Sequence, residues 1–271
     1  MPPVTACPAI PDALALYPHQ SNLAKPYHKQ AGPFLTKPFQ PRALIVAHGQ
    51  PSDPAPAEAE LALLAANVAA FLPNWKIMSA TLADPNSLAR AVTGTHGIVY
   101  PMFMSGGWFT ATHLPERLAA VGGGNWRVLA PFGLDPRVQT LAVSIAQEAT
   151  QGQTAPEVLL AAHGSFRSPA PADVAYSIVD QLVAAGILHA KAGFIDQSPR
   201  ITDVARDFGP NAVCLPFFAA KGGHVIDDLP EALAKANFNG RLLTPLGLDP
   251  RVPALIADAL QHALYQSAVT G

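Results

Sequence analysis

Six consecutive residues, Gly133-Leu134-Asp135-Pro136-Arg137-Val138, return unchanged as Gly247-Leu248-Asp249-Pro250-Arg251-Val252, 114 positions later. Three further matches keep the same order. Ala47-His48-Gly49 recurs as Ala162-His163-Gly164, and Leu114-Pro115-Glu116 as Leu229-Pro230-Glu231, each 115 positions on. Pro101, before an apolar pair and then Gly106-Gly107, matches Pro216, before Phe217-Phe218 and then Gly222-Gly223. Ordered matches at a nearly constant offset mean an internal duplication. Two units of this size are too few for a solenoid, and each is large enough for an ordinary domain.

The second unit carries a legible pattern. Residues 158–162 form a buried run that ends at His163-Gly164. A helix is expected over 172–185, with Val174, Ile178 and Leu182 at helical spacing. A short apolar run at 192–195, a helix at 201–208, a third run at 212–218 and a helix at 229–235 follow. A fourth run, 242–246, leads into a closing helix over 250–265 with proline near its first turn. The first unit repeats this with strands expected at 43–47, 76–82, 97–104 and 127–132. Strands alternating with helices imply an α/β fold: two tandem flavodoxin-like parallel-sheet lobes, each sheet covered on both faces and joined by right-handed connections. Prolines crowd the first residues (Pro2, Pro3, Pro8, Pro11, Pro18, Pro26, Pro33, Pro38, Pro41). The expected organisation is therefore a proline-rich arm over 1–40, with a short helix around 12–16 left open. An N-terminal lobe over 41–150 and a C-terminal lobe over 151–271 follow.

Composition narrows the function. With 17 Lys and Arg against 19 Asp and Glu, the net charge is −2, which gives no electrostatic basis for nucleic-acid binding. No apolar run is long enough to span a membrane, and the first residues lack the pattern of a secretory signal. Cys7 and Cys214 are far apart and belong to no paired motif, so a reducing cytoplasm is expected.

In open parallel α/β sheets, ligands bind beyond the carboxyl ends of the strands. In the second unit His163 follows the first strand, Asp196 the second, Lys221-Gly222-Gly223-His224 the third and Gly247-Leu248-Asp249 the fourth. Two histidines and a carboxylate thus share one edge, a donor set suited to Co²⁺, Fe²⁺, Ni²⁺ or Zn²⁺. Taken singly, His163 also reads as a hydrogen-bonded loop residue and Asp196 as a helix cap. The Gly-Gly pair before His224 suggests positive φ and close backbone approach. The first unit keeps His48, but the position of Asp196 falls at Ala83, beside Asp84. That of His224 falls near Trp108-Phe109, where an extra residue is expected to shift the loop. One active site in the second unit follows, faced by a wall or lid in which Trp108, Phe109, Met102 and Met104 offer an apolar platform or ordinary packing.

The strand ending in Ala-His-Gly-Ser (162–165), the acidic residue after the second strand, and Leu-Pro-Phe-Phe-Ala-Ala-Lys-Gly-Gly-His-Val-Ile-Asp-Asp-Leu-Pro (215–230) resemble the class II tetrapyrrole chelatases in their long two-lobed form. Sirohydrochlorin cobaltochelatases of cobalamin synthesis and ferrochelatases of sirohaem synthesis are the most similar members. The resemblance spans residues 42–271. It implies a flat tetrapyrrole held between the lobes and ATP-independent insertion of a divalent metal, Co²⁺ or Fe²⁺, which is a substrate. No tightly bound cofactor is implied. His163 and His224 match the family's active-site histidines, and Asp196 stands where many members have Glu, one methylene longer. The implied metal set is His163, His224 and Asp196. The implied substrate contacts are Ser165, Arg167, Arg200, Lys221, Gly222 and Gly223, with His48 and Trp108 from the other lobe. Arg167, Arg200 and Lys221 suit the carboxylates of such a ring, or are solvated surface charges. The duplication supplies a second lobe internally, so a monomer or weak homo-oligomer is expected. A binder that holds a tetrapyrrole or metal without catalysis is the alternative.

Overall fold

The structure, a computed structural model, describes residues 40–269. The arm expected over 1–40, apart from its last residue, lies outside them, as do the helix left open at 12–16 and Cys7. In the first half β1 (Arg42–Ala47), α1 (Pro54–Phe71), β2 (Lys76–Thr81), α2 (Ser87–Ala91), β3 (Ile98–Pro101), α3 (Leu114–Ala120), β4 (Arg127–Val128) and α4 (Pro136–Ala149) alternate. The second half repeats them as β5 (Glu157–Ala162), α5 (Ala170–Ala184), β6 (His189–Phe194), α6 (Ile201–Val204), β7 (Val213–Pro216), α7 (Leu229–Lys235), β8 (Arg241–Leu242) and α8 (Val252–Val269). The sheets have orders β2-β1-β3-β4 and β6-β5-β7-β8, all parallel.

The central strands explain why this sequence makes parallel sheets. Ala43 to Val46 and Val158 to Ala161 are wholly buried, as strands covered on both faces must be. Alternation along each strand sends neighbours to different cores. Leu44 and Val46 join a cluster private to the first half with Leu88, Leu114, Leu118 and Trp126. Leu159 and Ala161 join its counterpart with Ile201, Cys214, Leu229 and Leu233. Ala43, Ile45, Val158 and Leu160 face a third core common to both halves.

That common core is built by exchange. α4, the closing helix of the first half, packs on β7 and α5, while α8 packs on β3 and α1. Each half therefore covers the other's sheet. Val252, Ile256 and Leu260 of α8 are fully buried, each burial worth about 1.5–3 kcal/mol. Equivalent arginines fasten the exchange. Arg127 donates to Ala263 O at 3.0 Å near the end of α8, and Arg241 to Ala149 O at 2.5 Å at the end of α4. The repeated hexapeptide serves the same junctions. Asp135 caps α4 by accepting from Arg137 N at 3.0 Å, and Asp249 accepts from Arg251 N at 2.9 Å. A Cβ at Gly133 or Gly247 would lie 2.1 or 2.0 Å from the carbonyl of Met104 or Ala219, so only glycine fits.

The third and fourth strands are shorter than the apolar runs predict. Each third strand ends at a proline, Pro101 or Pro216. The fourth, at the sheet edge, stops before Pro131 or Pro245, where the chain tightens into 3₁₀ turns. The runs stay apolar beyond those points because Met102 and Phe217 remain buried outside the strands.

Candidate active site

His163 leaves β5 at a turn the sequence dictates. Gly164 has φ +70°, and a Cβ there would sit 2.7 Å from Gln197 Cγ and 2.9 Å from Phe194 Cβ. Gln197 Oε1 accepts from Ser165 N at 2.7 Å, and Ser165 Oγ from Arg167 N at 3.1 Å. Ser165 thus shapes the loop. His163 Nδ1 lies 2.9 Å from Gly164 O. His224 opens a π-helical turn, His224–Asp228, and its Nδ1 lies 2.6 Å from Asp228 Oδ2. The two Nε2 atoms are 2.9 Å apart, with rings edge-to-face at 88° and centroids separated by 4.4 Å. Both rings are partly open to solvent.

Asp196 is placed differently from the third ligand the sequence suggests. Its N–H donates to His163 O at 2.8 Å, while its Oδ2 lies 3.6 Å from His163 Nδ1, on the ring edge turned away from Nε2. Among the described residues no three His, Cys, Asp or Glu side chains gather as a metal-holding cluster. Nor does Asp196 cap a helix: Arg200 precedes α6. The glycine pair also behaves otherwise than expected. Gly223 has φ −51°, Gly222 is outside the left-handed region, and a Cβ at Gly222 would meet nothing within 4 Å.

Charged and apolar side chains also follow the strand ends. Arg167 and Lys221 are exposed, and neither side chain has a hydrogen bond or ion pair among the described residues. The Arg200 guanidinium donates to Ile195 O and lies 5.2 Å over the Phe166 ring, a cation–π contact. Phe166, 73% exposed, was not singled out by sequence reasoning, nor were Ile226, Leu134 and Leu248, all exposed beyond strand ends. An aromatic immediately after Ala-His-Gly-Ser was the available signal for Phe166. Asp228, within the motif 215–230, was not singled out either.

The first half holds the matching scaffold with other side chains. His48 Nδ1 lies 3.1 Å from Gly49 O, and Ala83 N donates to His48 O at 2.8 Å, so Ala83 is the counterpart of Asp196. No extra residue shifts the following loop. Ala111 N donates to Gly107 O as Ile226 N does to Gly222 O, which aligns Phe109 with His224 and His113 with Asp228. His48 meets Phe109 edge-to-face at 4.7 Å, and Trp108 stacks on His113 at 4.7 Å. Trp108 is 59% exposed, but Met102 is buried and Met104 packs on the common core, so the methionines are not part of an exposed platform.

Two duplicated parallel α/β lobes with a histidine pair beyond the strand ends of one sheet agree with the chelatase-like architecture expected from the sequence. The sequence profile of the CbiX family matches residues 157–263. The chain is similar in structure to a CbiX described as the terminal enzyme for biosynthesis of siroheme in denitrifying bacteria, at 45% identity and a TM-score of 0.77, covering 82% of this chain and 99% of that one. It also resembles DR2241 from Deinococcus radiodurans, a multi-domain protein with structural similarity to chelatases (20% identity, TM-score 0.62, 82% of this chain and 54% of that one). A third similar structure is the sirohydrochlorin chelatase SirB from Bacillus subtilis subspecies spizizenii in complex with cobalt (18% identity, TM-score 0.59, 82% and 94%). No curated protein sequence matches. The chain belongs to the CbiX family. Among the described residues, no helix is long and apolar enough to cross a membrane.

Proposed function

We propose that this protein is a metal chelatase, a lyase that inserts Co²⁺ or Fe²⁺ into a sirohydrochlorin-type tetrapyrrole without ATP, in sirohaem or cobalamin synthesis. The C-terminal lobe carries its active site. The observation that carries the reading is the 2.9 Å between the Nε2 atoms of His163 and His224. A metal bonded to both at about 2.0–2.1 Å subtends an N–metal–N angle of about 90°, which leaves its remaining positions open. An incomplete site of this kind holds the ion without trapping it, and the pyrrole nitrogens complete the transfer. Metallation exchanges one divalent cation for two pyrrole protons, and an imidazole that has given up its metal is a competent proton acceptor.

The surroundings suit a flat polycarboxylate. Arg167 and Lys221, uncommitted among the described side chains, and Arg200 lie beyond the same strand ends and pair with ring carboxylates. Trp108, Phe109 and His48 of the first lobe, with Phe166 and Ile226 of the second, supply apolar surface for the macrocycle. The duplication provides both lobes in one chain, so a monomer suffices.

Anaerobic incubation with sirohydrochlorin and Co²⁺ or Fe²⁺, followed by visible spectroscopy, tests this. His163→Ala and His224→Ala are expected to lower the metallation rate by about 10²-fold or more with circular dichroism unchanged. Undiminished turnover in both variants would remove the assigned site. Tetrapyrrole binding by the wild type without metallation would leave a binding protein instead.

A further inference from the structure

His224 and Asp228 stand four residues apart in a π-helical turn that both halves share, and only the second half carries this pair. The turn has a sequence cause. Pro230, near the start of α7, has no N–H, and its ring crowds the carbonyl four residues back. The chain instead closes Leu229 N–H onto His224 O, one residue wider than an α-turn. Leu114 N–H closes onto Phe109 O in the same way before Pro115. Asp228, four residues after His224 on the same face of this turn, reaches His224 Nδ1 with its Oδ2 at 2.6 Å.

Hydrogen-bond accounting fixes what this contact does. An ionised carboxylate only accepts, so the hydrogen between Asp228 and His224 belongs to Nδ1. The Gly164 carbonyl, 2.9 Å from His163 Nδ1, also only accepts. Each ring therefore keeps a hydrogen on Nδ1 and turns Nε2 toward the other across 2.9 Å, a separation that one shared hydrogen bridges in the metal-free protein and that a single divalent cation can span in its place. We infer that Asp228 is the positioning residue of the site: its carboxylate holds His224 in the tautomer and orientation that aim Nε2 at the metal. This rests on the reading that the Nε2 pair receives the metal. Asp196, which lies against the other imidazole, does not reach this contact. The first half supplies the internal comparison. Phe109 has no nitrogen to orient, and the residue four positions on is His113, stacked on Trp108.

Full-length wild type, Asp228→Leu and Asp228→Asn decide the matter. Long-range ¹H–¹⁵N correlation of the imidazoles in metal-free protein reads the tautomer. His224 is expected as Nδ1–H in wild type and in Asp228→Asn, whose amide oxygen still accepts, and mainly as Nε2–H in Asp228→Leu. Co²⁺ alone, titrated anaerobically and followed by its d–d absorption, is expected to bind Asp228→Leu about 10–100-fold more weakly than wild type, and Asp228→Asn nearly as tightly as wild type. His224 remaining Nδ1–H in Asp228→Leu, or Asp228→Asn losing as much affinity as Asp228→Leu, would overturn the assignment. If Asp228→Leu does not fold by circular dichroism, Asp228→Asn decides alone: native tautomer and affinity support the role, and loss of either ends it. Neither readout uses a tetrapyrrole. A chain that passes here and fails to metallate sirohydrochlorin would lose the proposed activity and keep this positioning role.

Discussion

At the carboxyl edge of the first sheet His48 meets Phe109 at 4.7 Å between ring centroids; at the same place in the second, His163 meets His224 at 4.4 Å. The backbones beneath are equivalent. Gly49 and Gly164 both turn the chain at positive φ, and a π-helical turn precedes Leu-Pro in each half. What differs is a few side chains: Phe109 for His224, His113 for Asp228, Ala83 for Asp196. A duplicated scaffold thus separates the part of a sequence that makes the edge from the part that makes its chemistry. The same scaffold presents aromatic surface on one side and two imidazole nitrogens on the other.

The comparison breaks most visibly through the exchanged helices. Leu260 belongs to the second copy but covers the first sheet, so Leu260→Ala should cost about 2–5 kcal/mol. All three tryptophans, Trp75, Trp108 and Trp126, lie in the first half and report on it. Urea unfolding followed by their fluorescence and by circular dichroism should show one shared transition, moved equally by both probes. A fluorescence transition that stays in place while the other shifts would show that the halves are independent. A gain of function sharpens the comparison next. Phe109→His with His113→Asp rebuilds the nitrogen pair and its carboxylate in the first half, and Co²⁺ titration should rise from one equivalent to two. A folded double variant that still takes one equivalent would mean that the matching backbone is not enough.

The smallest expected effect lies in the hexapeptide of the second half. The Arg251 guanidinium holds the Asp249 carboxyl below its usual range, against the cost of burial. A carboxyl depressed on folding contributes stability above its unfolded value, here 3.8, and loses it as pH falls through the lower folded value. Arg251→Ala should therefore cost no more than about 1 kcal/mol of stability near neutrality, read as a small drop in Tm, because the arginine is partly exposed. The gap from wild type should close below pH ~4. A gap that widens in acid would contradict the pairing.

Much of this was legible in the residues. Buried runs flanking helical periodicity gave both central strands, and the offset between copies gave two lobes. Ala83 was correctly matched to Asp196 because strand ends can be counted. The nearness of His163 to His224 also followed from strand order, since adjacent central strands bring their carboxyl ends together. Errors arose where apolar character outlasted the strand, at Met102 and Phe217, because a buried loop and a buried strand look alike in one dimension. Phe166 goes unremarked in the sequence, and the side of His163 on which Asp196 stands goes unread, for a related reason: composition places a residue at an edge without saying which way it turns.

Covalent pattern alone therefore determined the architecture: where strands and helices alternate, where glycine must permit a turn, and that the chain is doubled. It left open which sheet each closing helix covers, because an amphipathic face packs equally well on either of two similar surfaces until both are present. It left open as well whether a carboxylate stands before or behind a ring. Those distinctions arise only when distant segments share one space, where a hydrogen bond tolerates a few tenths of an ångström and the sequence specifies no distances.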